Sequence, residues 1–152
     1  MDIFEFLKAN PVLRGFTEDG VRIIQSVVQV RQLEPGLPVF VEKMVGESIF
    51  LLAHGEVGVY ATRQNVEREI GVLQAPDCFG ELSLMQPGPR RATVRTRSPV
   101  LLFEIHRRDF QKLQAQRPQA CLKLLVNISD GFAQKSLQAA SILERLVDVV
   151  SS

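Results

Sequence analysis

The sequence predicts a mainly β domain with flanking helices, whose strands form a β-roll of the jelly-roll type. Between Val28 and Ile105 apolar residues recur with a period of two, and turn-forming residues separate the apolar runs. On both sides of this region the period changes to that of a helix. Short strands joined by tight turns favour an antiparallel roll or sandwich over parallel βαβ units.

Two short helices are predicted before the first strand, within residues 2–27. Pro11 and Gly15 break the helical pattern between them. Thr17 is the predicted N-cap of the second helix, because its hydroxyl can accept a backbone N–H, and the acidic Glu18 and Asp19 complement the helix dipole. The apolar positions of the two helices are Ile3, Phe4, Phe6, Leu7, Val21, Ile23, Ile24 and Val27.

One segment interrupts the strand region. Residues 80–85 contain helix formers where a strand would be expected, and the breaker run Gln86-Pro87-Gly88-Pro89 follows them. A helical turn among strands sacrifices sheet pairing, so it indicates a function. The alternating apolar pairs around it are Val39/Val41, Ile49/Leu51, Val57/Val59 and Leu101/Phe103.

Two helices are predicted after the last strand, one from Arg107 to Gln116 and one from Pro118 to about Val150. The second would be about 45 Å long. A domain of this size cannot cover both ends, so we expect the helix to pair with a copy of itself, with Gly131 as its weakest point. Residues 1–117 are assigned to the roll with its short helices, and 118–152 to the long helix of the same domain. The apolar stripe of this helix includes Leu122, Leu125, Phe132, Ala139, Leu143, Leu146 and Val150.

Composition excludes several classes of protein. The 152 residues include 18 basic and 17 acidic side chains, and the net charge of +1 gives no overall field to attract nucleic acid or an anionic membrane. Cys78 and Cys121 are the only cysteines, which argues against a disulfide framework and favours a reducing compartment. The chain shows neither a signal peptide nor an apolar stretch of membrane length, so we expect a cytoplasmic protein without membrane insertion.

The sequence gives no sign of catalysis or of a metal site. His54 and His106 lack Cys, Asp or Glu neighbours at metal-ligand spacing. No nucleophile–base pair, metal cluster or phosphate loop of the nucleotide-hydrolysing type is found. We therefore predict no catalytic residue, no metal and no cofactor.

The helical turn at 80–85 and the arginine that follows it form a predicted anion site. Gly80 would let a ligand approach the backbone closely, and the N–H groups of Leu82 and Ser83 are expected to be free at the positive end of the turn. Arg90 can offer a two-pronged guanidinium to phosphate oxygens. Glu81 would repel a phosphate unless it faced a hydroxyl donor, so a ligand with both groups would fit. A structural ion pair between Glu81 and Arg90 is the alternative interpretation.

The segment FGELSLMQPGPRRATV resembles the phosphate-binding cassette of cyclic nucleotide-binding domains, found in catabolite activator protein, cyclic-nucleotide-dependent kinases and cyclic-nucleotide-gated channels. The family cassette reads approximately F-G-E-L-A-L-x, three variable residues, then P-R-A-A-T-V. Upstream, Pro35-Gly36, Gly46-Glu47-Ser48 and Gly55-Glu56-Val57 match the family's strand–turn register, and the resemblance covers most of residues 3–145. The matching cassette positions are Phe79, Gly80, Glu81, Leu82, Leu84, Pro89, Arg90, Ala92, Thr93 and Val94.

The resemblance implies a cyclic-nucleotide-binding β-roll and a role for each cassette residue. Glu81 would bind the ribose 2′-hydroxyl and Arg90 the exocyclic phosphate oxygens. Backbone amides would complete the phosphate cradle, and the long helix would cover the base as a lid. The amides are those of Leu82, Ser83 and Arg91; Gly80, Ala92 and Thr93 complete the predicted ligand-binding set, and Lys135 and Ser136 are the predicted lid residues.

Two positions depart from the family pattern. Arg91 stands where the family has Ala, Ser or Thr, so the threonine that usually contacts guanine is missing. Cyclic AMP is favoured over cyclic GMP as the commoner ligand of the pattern. Lys43 replaces a glycine that is often found in an early strand turn.

The predicted function is a non-enzymatic cyclic-nucleotide sensor. Binding in the cassette would move the C-terminal helix and change a homodimer contact or a contact with a downstream protein partner. Two alternatives stay open: a ligand-responsive transcription regulator without its helix-turn-helix domain, and a scaffold whose degenerate pocket binds no ligand. Because no recognition helix precedes Ser152, direct DNA binding is not expected.

Overall fold

The protein's structure is a computed structural model that describes residues 2–151. Met1 and Ser152 lie outside the described residues. So do ten side chains, which include four of the predicted apolar stripe positions, Ala139, Leu143, Leu146 and Val150. The ten are those of Met85, Ala139, Ile142, Leu143 and residues 146–151.

The helices lie where the sequence predicts them. They are α1 Ile3–Ala9, α2 Glu18–Gln25, α3 Glu81–Met85, α4 Arg107–Gln116 and α5 Pro118–Ser151, with a short 3₁₀ helix Pro11–Leu13 between α1 and α2. Thr17 caps α2 as predicted, since its Oγ1 accepts the Gly20 N–H at 3.1 Å. The helical turn inside the strand region is also confirmed as α3.

The strands form two four-stranded antiparallel sheets and a two-residue ladder in the described part of the chain. The first sheet has the order β1–β10–β4–β7 and the second β2–β9–β5–β6, while β3 pairs with β8. This arrangement confirms the predicted β-roll with flanking helices. The strand bounds are β1 Gln29–Leu33, β2 Pro38–Phe40, β3 Val45–Gly46, β4 Ser48–His54, β5 Glu56–Arg63, β6 Val66–Gln74, β7 Asp77–Phe79, β8 Gly88–Pro89, β9 Thr93–Thr96 and β10 Val100–His106.

Strand β4 of the first sheet is buried on both of its faces. On β4, Ile49 and Leu51 pack into a core with the helices, whereas Phe50 and Leu52 pack into a second core between the two sheets. Successive side chains of a strand point to opposite faces, so an unbroken apolar run is what such a strand requires. Both cores therefore meet at this sheet.

The base of α5 belongs to the helical core. Cys121, Leu124 and Ile128 are buried in the same cluster as Leu7 of α1 and Ile24 of α2. Asn127 adds a polar anchor, because its Nδ2 donates to the backbone oxygens of Val12 and Arg14, each at 2.9 Å. The first three turns of α5 are thus fixed to the N-terminal segment.

The opposite side of α5 carries exposed apolar side chains. Leu122, Val126 and Leu137 are 63%, 50% and 69% exposed. Their spacings of 4 and 11 residues place them on one face at about 100° per residue.

Among the described residues, no helix combines the length and apolar character needed to cross a membrane.

Candidate ligand-binding site

The backbone around α3 turns sharply at both ends and returns Arg90 to the start of the helix. Gly80 precedes α3 with φ 76°, in the left-handed region that favours glycine. After α3, β8 pairs with β3, so that Arg90 N–H donates to Met44 O and Lys43 N–H donates to Arg90 O, both at 2.7 Å. Lys43 itself has φ 75°, which explains why a glycine suits this turn in the resembling family.

The Arg90 guanidinium is buried and points at α3. Arg90 as a whole is only 8% exposed. Nη1 donates to Ser83 Oγ at 2.8 Å, and Nη2 donates to the Ser48 backbone oxygen at 2.9 Å. The carbon at the centre of the guanidinium lies 4.1 Å from the centroid of the Phe40 ring. Two hydrogen bonds and one aromatic face therefore fix its orientation.

Two glycines form the slot that contains this side chain. A Cβ atom on Gly46 would overlap Nε and the central carbon of the Arg90 guanidinium, and a Cβ on Gly80 would lie 2.7 Å from Nη1. Sequence reasoning assigned the space at Gly80 to an approaching ligand. In the structure the nearest group in that space is the guanidinium of Arg90. The missing side chain at Gly80 therefore makes room for Arg90 itself.

The charge of Arg90 has no direct carboxylate partner in the described part of the chain. None of the salt bridges among the described residues includes Arg90, so the alternative of a structural Glu81–Arg90 ion pair is not what the structure contains. Burial lowers the pKa of Arg90, and the charge of Glu104 acts in the opposite direction. A buried cation without a counter-ion is costly, so this geometry is suited to an incoming anion.

Glu81 lies on the other side of the cassette and already has partners. Its side chain is 14% exposed, and its Oε2 lies 3.5 Å from Lys135 Nζ. The Cys78 thiol also donates to Oε2, at a sulfur–oxygen distance of 3.3 Å. Burial, followed by the negative charge of Glu81, raises the pKa of Cys78 to about 12, so this thiol stays protonated and can act as a donor.

Lys135 joins α5 to the cassette. Besides Glu81, its Nζ contacts Asp77 Oδ1 at 3.5 Å and donates to the Cys78 backbone oxygen at 2.8 Å. Burial lowers the pKa of Lys135, but nearby Glu81, Cys78 and Asp77 outweigh the burial and leave the pKa above its ordinary value. The ammonium is therefore charged at neutral pH.

The remaining predicted site residues differ in position. Leu82, Arg91 and Ser136 are exposed, Ala92 is half-buried and Ser83 is buried. Thr93 is buried, and its hydroxyl accepts the Glu42 N–H at 2.9 Å, which is a structural role.

One detail of the predicted cradle is wrong. The Ser83 N–H is not free, because it donates to the Gly80 carbonyl at 3.1 Å. The first turn of α3 is tightened in the 3₁₀ manner, which satisfies a donor that a regular first turn would leave open. For the Leu82 N–H, no hydrogen bond to a group outside α3 is found among the described residues.

Sequence reasoning missed four residues that shape the site. Phe40, Gly46, Ser48 and Glu104 lie on strands outside the cassette segment. Of these, only Gly46 and Ser48 carried a signal, since both belong to the Gly46-Glu47-Ser48 turn that matches the family register. Neither the pattern nor the spacing indicated their contact with Arg90.

A β-roll in which a buried arginine faces a one-turn helix defines a class of ligand-binding domains. The sequence model of the cyclic nucleotide-binding domain matches residues 30–117 of this chain. That match covers more than half of the chain, which therefore belongs to the cyclic nucleotide-binding domain family.

Known relatives agree with this assignment. The cyclic AMP receptor protein of Thermus thermophilus is 28% identical over 87% of this chain and 62% of its own length. A cAMP-dependent protein kinase regulatory subunit of Eremothecium gossypii is 30% identical over 72% of this chain and 23% of its own. The crystal structure of the Thermus thermophilus catabolite activator protein superposes with a TM-score of 0.78, at 26% identity over 91% of this chain and 63% of that one. The chain thus spans less than two thirds of each of these relatives.

Proposed function

We propose that this protein binds a cyclic nucleotide in the cassette formed by α3 and Arg90, and that cyclic AMP is its preferred ligand. The observation that carries the proposal is the Arg90 guanidinium, which is buried, fixed at the start of α3 and free of any salt bridge among the described residues. A cyclic phosphodiester supplies the missing negative charge, and its two exocyclic oxygens suit a guanidinium fork.

The proposed roles follow the cassette. Arg90 binds the phosphate oxygens, Glu81 accepts the ribose 2′-hydroxyl, and the backbone N–H groups of Leu82 and Arg91 complete the cradle. Ser83 can add its N–H only if that group releases the Gly80 carbonyl. Gly80, Ala92 and Thr93 are proposed to shape the cassette, and the Thr93 hydroxyl does so by accepting the Glu42 N–H at 2.9 Å.

The preference for cyclic AMP rests on two supports. The names of both sequence relatives refer to cyclic AMP. At position 91 the chain has an arginine, where a threonine would favour guanine. Lys135 and Ser136 stay proposed as lid residues for the base, and Lys135 would have to leave Glu81 to take that role.

Coupling to the long helix is proposed to pass through Lys135. A ligand hydroxyl on Glu81 competes for the carboxylate that Lys135 holds at 3.5 Å. Ligand binding would then weaken the contact between the cassette and α5 and shift the population of helix positions. A downstream protein partner would respond to the position of the helix.

A homodimer through α5 is part of the same proposal. The exposed Leu122, Val126 and Leu137 lie on one face, opposite the buried Leu124 and Ile128. A second copy of this face would remove that apolar surface from water. Sedimentation of Val126→Asp with Leu137→Asp should show monomers, and a persistent dimer would place the interface elsewhere.

Two further expectations belong to the proposal. The roll and α5, residues 1–117 and 118–152, act as one domain, which the shared core of Cys121, Leu124 and Ile128 with α1 and α2 supports. The compartment is reducing and cytoplasmic, which the unpaired, buried Cys78 and Cys121 support.

Calorimetric titration with cyclic AMP, cyclic GMP and cyclic di-GMP tests the proposal. We expect saturable binding of one ligand per chain, with the highest affinity for cyclic AMP. Tighter binding of cyclic GMP would overturn the base preference alone. Absence of binding for all three ligands would instead support a scaffold with a degenerate pocket.

A further inference from the structure

A chain of polar contacts extends from Arg90 to the far edge of the first sheet. Nη2 of Arg90 donates to the backbone oxygen of Ser48 at 2.9 Å. The hydroxyl of the same serine donates to Glu104 Oε2 at 2.6 Å. Glu104 Oε1 then meets Nη1 of Arg31 on β1 at 3.4 Å. Positive and negative groups therefore alternate along this row of contacts, with Ser48 between Arg90 and Glu104.

The strands fix this geometry. Ser48 begins β4, and Glu104 lies on the neighbouring β10, directly opposite Phe50. Residues two apart on a strand point to the same face, so Ser48 and Phe50 share the face that Arg90 covers. The Phe50 ring lies near two cations, with the guanidinium centre of Arg90 5.7 Å and that of Arg31 5.8 Å from its centroid.

The intervening serine has a physical consequence. A direct ion pair with Glu104 would use the N–H groups of Arg90 that an anion needs. Because Ser48 lies between Glu104 and Arg90 in space, those N–H groups stay available. The charge of the Glu104 carboxylate still offsets part of the burial penalty of the guanidinium. Ser48 is only 4% exposed, so water cannot easily replace the contact.

We propose that Ser48 and Glu104 are positioning residues that keep the Arg90 guanidinium aligned with α3 before a ligand binds. The inference rests on the proposed function, since it explains how the phosphate site is prepared. When the site is already ordered, less of the binding free energy is lost in ordering it. Loss of Glu104 should therefore weaken binding, because Arg90 becomes less ordered, although no ligand contact is removed.

The first experiment uses protein without ligand and is therefore independent of the proposed function. Arginine side-chain NMR follows the Arg90 Nε–H signal and its exchange with water in the parent protein, Glu104→Ala and Glu104→Gln. We expect slow exchange in the parent protein and in Glu104→Gln, because glutamine keeps an acceptor for the Ser48 hydroxyl. Fast exchange is expected in Glu104→Ala, and slow exchange in all three proteins would overturn the inference.

The second experiment measures cyclic AMP affinity well below the unfolding temperature. Glu104→Ala should weaken binding about 5- to 20-fold, and Glu104→Gln should restore affinity to within about threefold. Adding Ser48→Ala to Glu104→Ala should cause little further loss, since both act through one contact. Parent protein that binds no cyclic AMP would overturn the proposed function. If Glu104→Ala binds cyclic AMP with the affinity of the parent protein, only the positioning role is overturned. The same holds if Glu104→Ala has a lower melting temperature but unchanged affinity.

Discussion

The phosphate side and the hydroxyl side of the proposed site are prepared for a ligand in opposite ways. Arg90 is buried and fixed by hydrogen bonds, yet it has no carboxylate partner among the described residues. Glu81 instead already holds the Lys135 ammonium and the Cys78 thiol. An anion can therefore join Arg90 without displacing a charge, whereas a hydroxyl must share Glu81 with the long helix.

This difference separates affinity from signalling. The phosphate side is expected to supply most of the binding free energy, because it offers a buried cation in a fixed geometry. The hydroxyl side is expected to transmit the binding event, because Lys135 joins it to α5. A variant of the hydroxyl side should therefore still allow binding affinity to be measured, and a variant of the phosphate side should still allow the contact with α5 to be measured.

Removal of the guanidinium is the largest expected effect. Arg90→Ala should cost about 3–5 kcal/mol of binding free energy, which is typical of removing one partner from a desolvated charged pair. Calorimetry with cyclic AMP measures this loss. The matched control is Arg68→Ala, which removes an exposed arginine that forms no ion pair among the described residues and should bind as the parent protein does. Equal affinity of Arg90→Ala and Arg68→Ala would remove Arg90 from the site.

Filling the slot should have the second largest effect. Gly46→Ala places a methyl group where Nε of Arg90 lies, so the guanidinium must move and cyclic AMP affinity should fall about 10- to 100-fold. Gly88 is the matched control, because it pairs with Gly46 in the β3–β8 ladder and has open space around it. If Gly46→Ala and Gly88→Ala bind equally, the slot does not position Arg90.

Removal of the helix contact should change α5 more than affinity. Lys135→Gln loses the ammonium that Glu81 and Asp77 share. Backbone amides near residue 135 should then exchange faster with deuterium in the ligand-free protein, and cyclic AMP should no longer alter their rate. The exposed Lys112→Gln on α4 serves as control. A ligand-dependent rate that survives in Lys135→Gln would show that another contact carries the coupling.

The smallest effect is expected at Gly131. This residue lies between the Asn127 anchor and Lys135, and nothing occupies the space of an added Cβ. Gly131→Ala should stabilise α5 by about 0.5–1 kcal/mol and slow amide exchange on either side of the residue. Cyclic AMP affinity should stay within about twofold. A faster exchange would mean that the glycine is required for packing.

Local patterns were sufficient to predict the helices, the roll and the cassette. The Thr17 cap, the start of α4 at Arg107 and the helical turn after Gly80 each depend on residues that are close along the chain. The alternation Ile49/Leu51 also identified one face of β4 correctly. The equal burial of Phe50 and Leu52 did not follow from it, because it depends on a second sheet that packs there.

The surroundings of Arg90 and Glu81 could not be predicted from local patterns. Glu104 is linked to Arg90 through Ser48, and the Ser48–Glu104 hydrogen bond forms because β4 pairs with β10, which joins residues 56 positions apart in the chain. Lys135 was placed at the cassette by helix register, but its choice of Glu81 depends on side-chain geometry. The Ser83 prediction failed because the tight first turn of α3 is set by the backbone at Gly80.

Backbone and arginine side-chain NMR during a cyclic AMP titration tests the central claim most directly. We predict saturable shifts at Leu82 and Arg91 amides and at Arg90 Nε–H, with one midpoint for all three. The same titration of Arg90→Ala should leave the Leu82 and Arg91 amides unshifted over the same concentration range. Shifts confined to residues outside 80–93, or an Arg90 Nε–H signal that does not respond to saturating ligand, would contradict a phosphate site at this guanidinium.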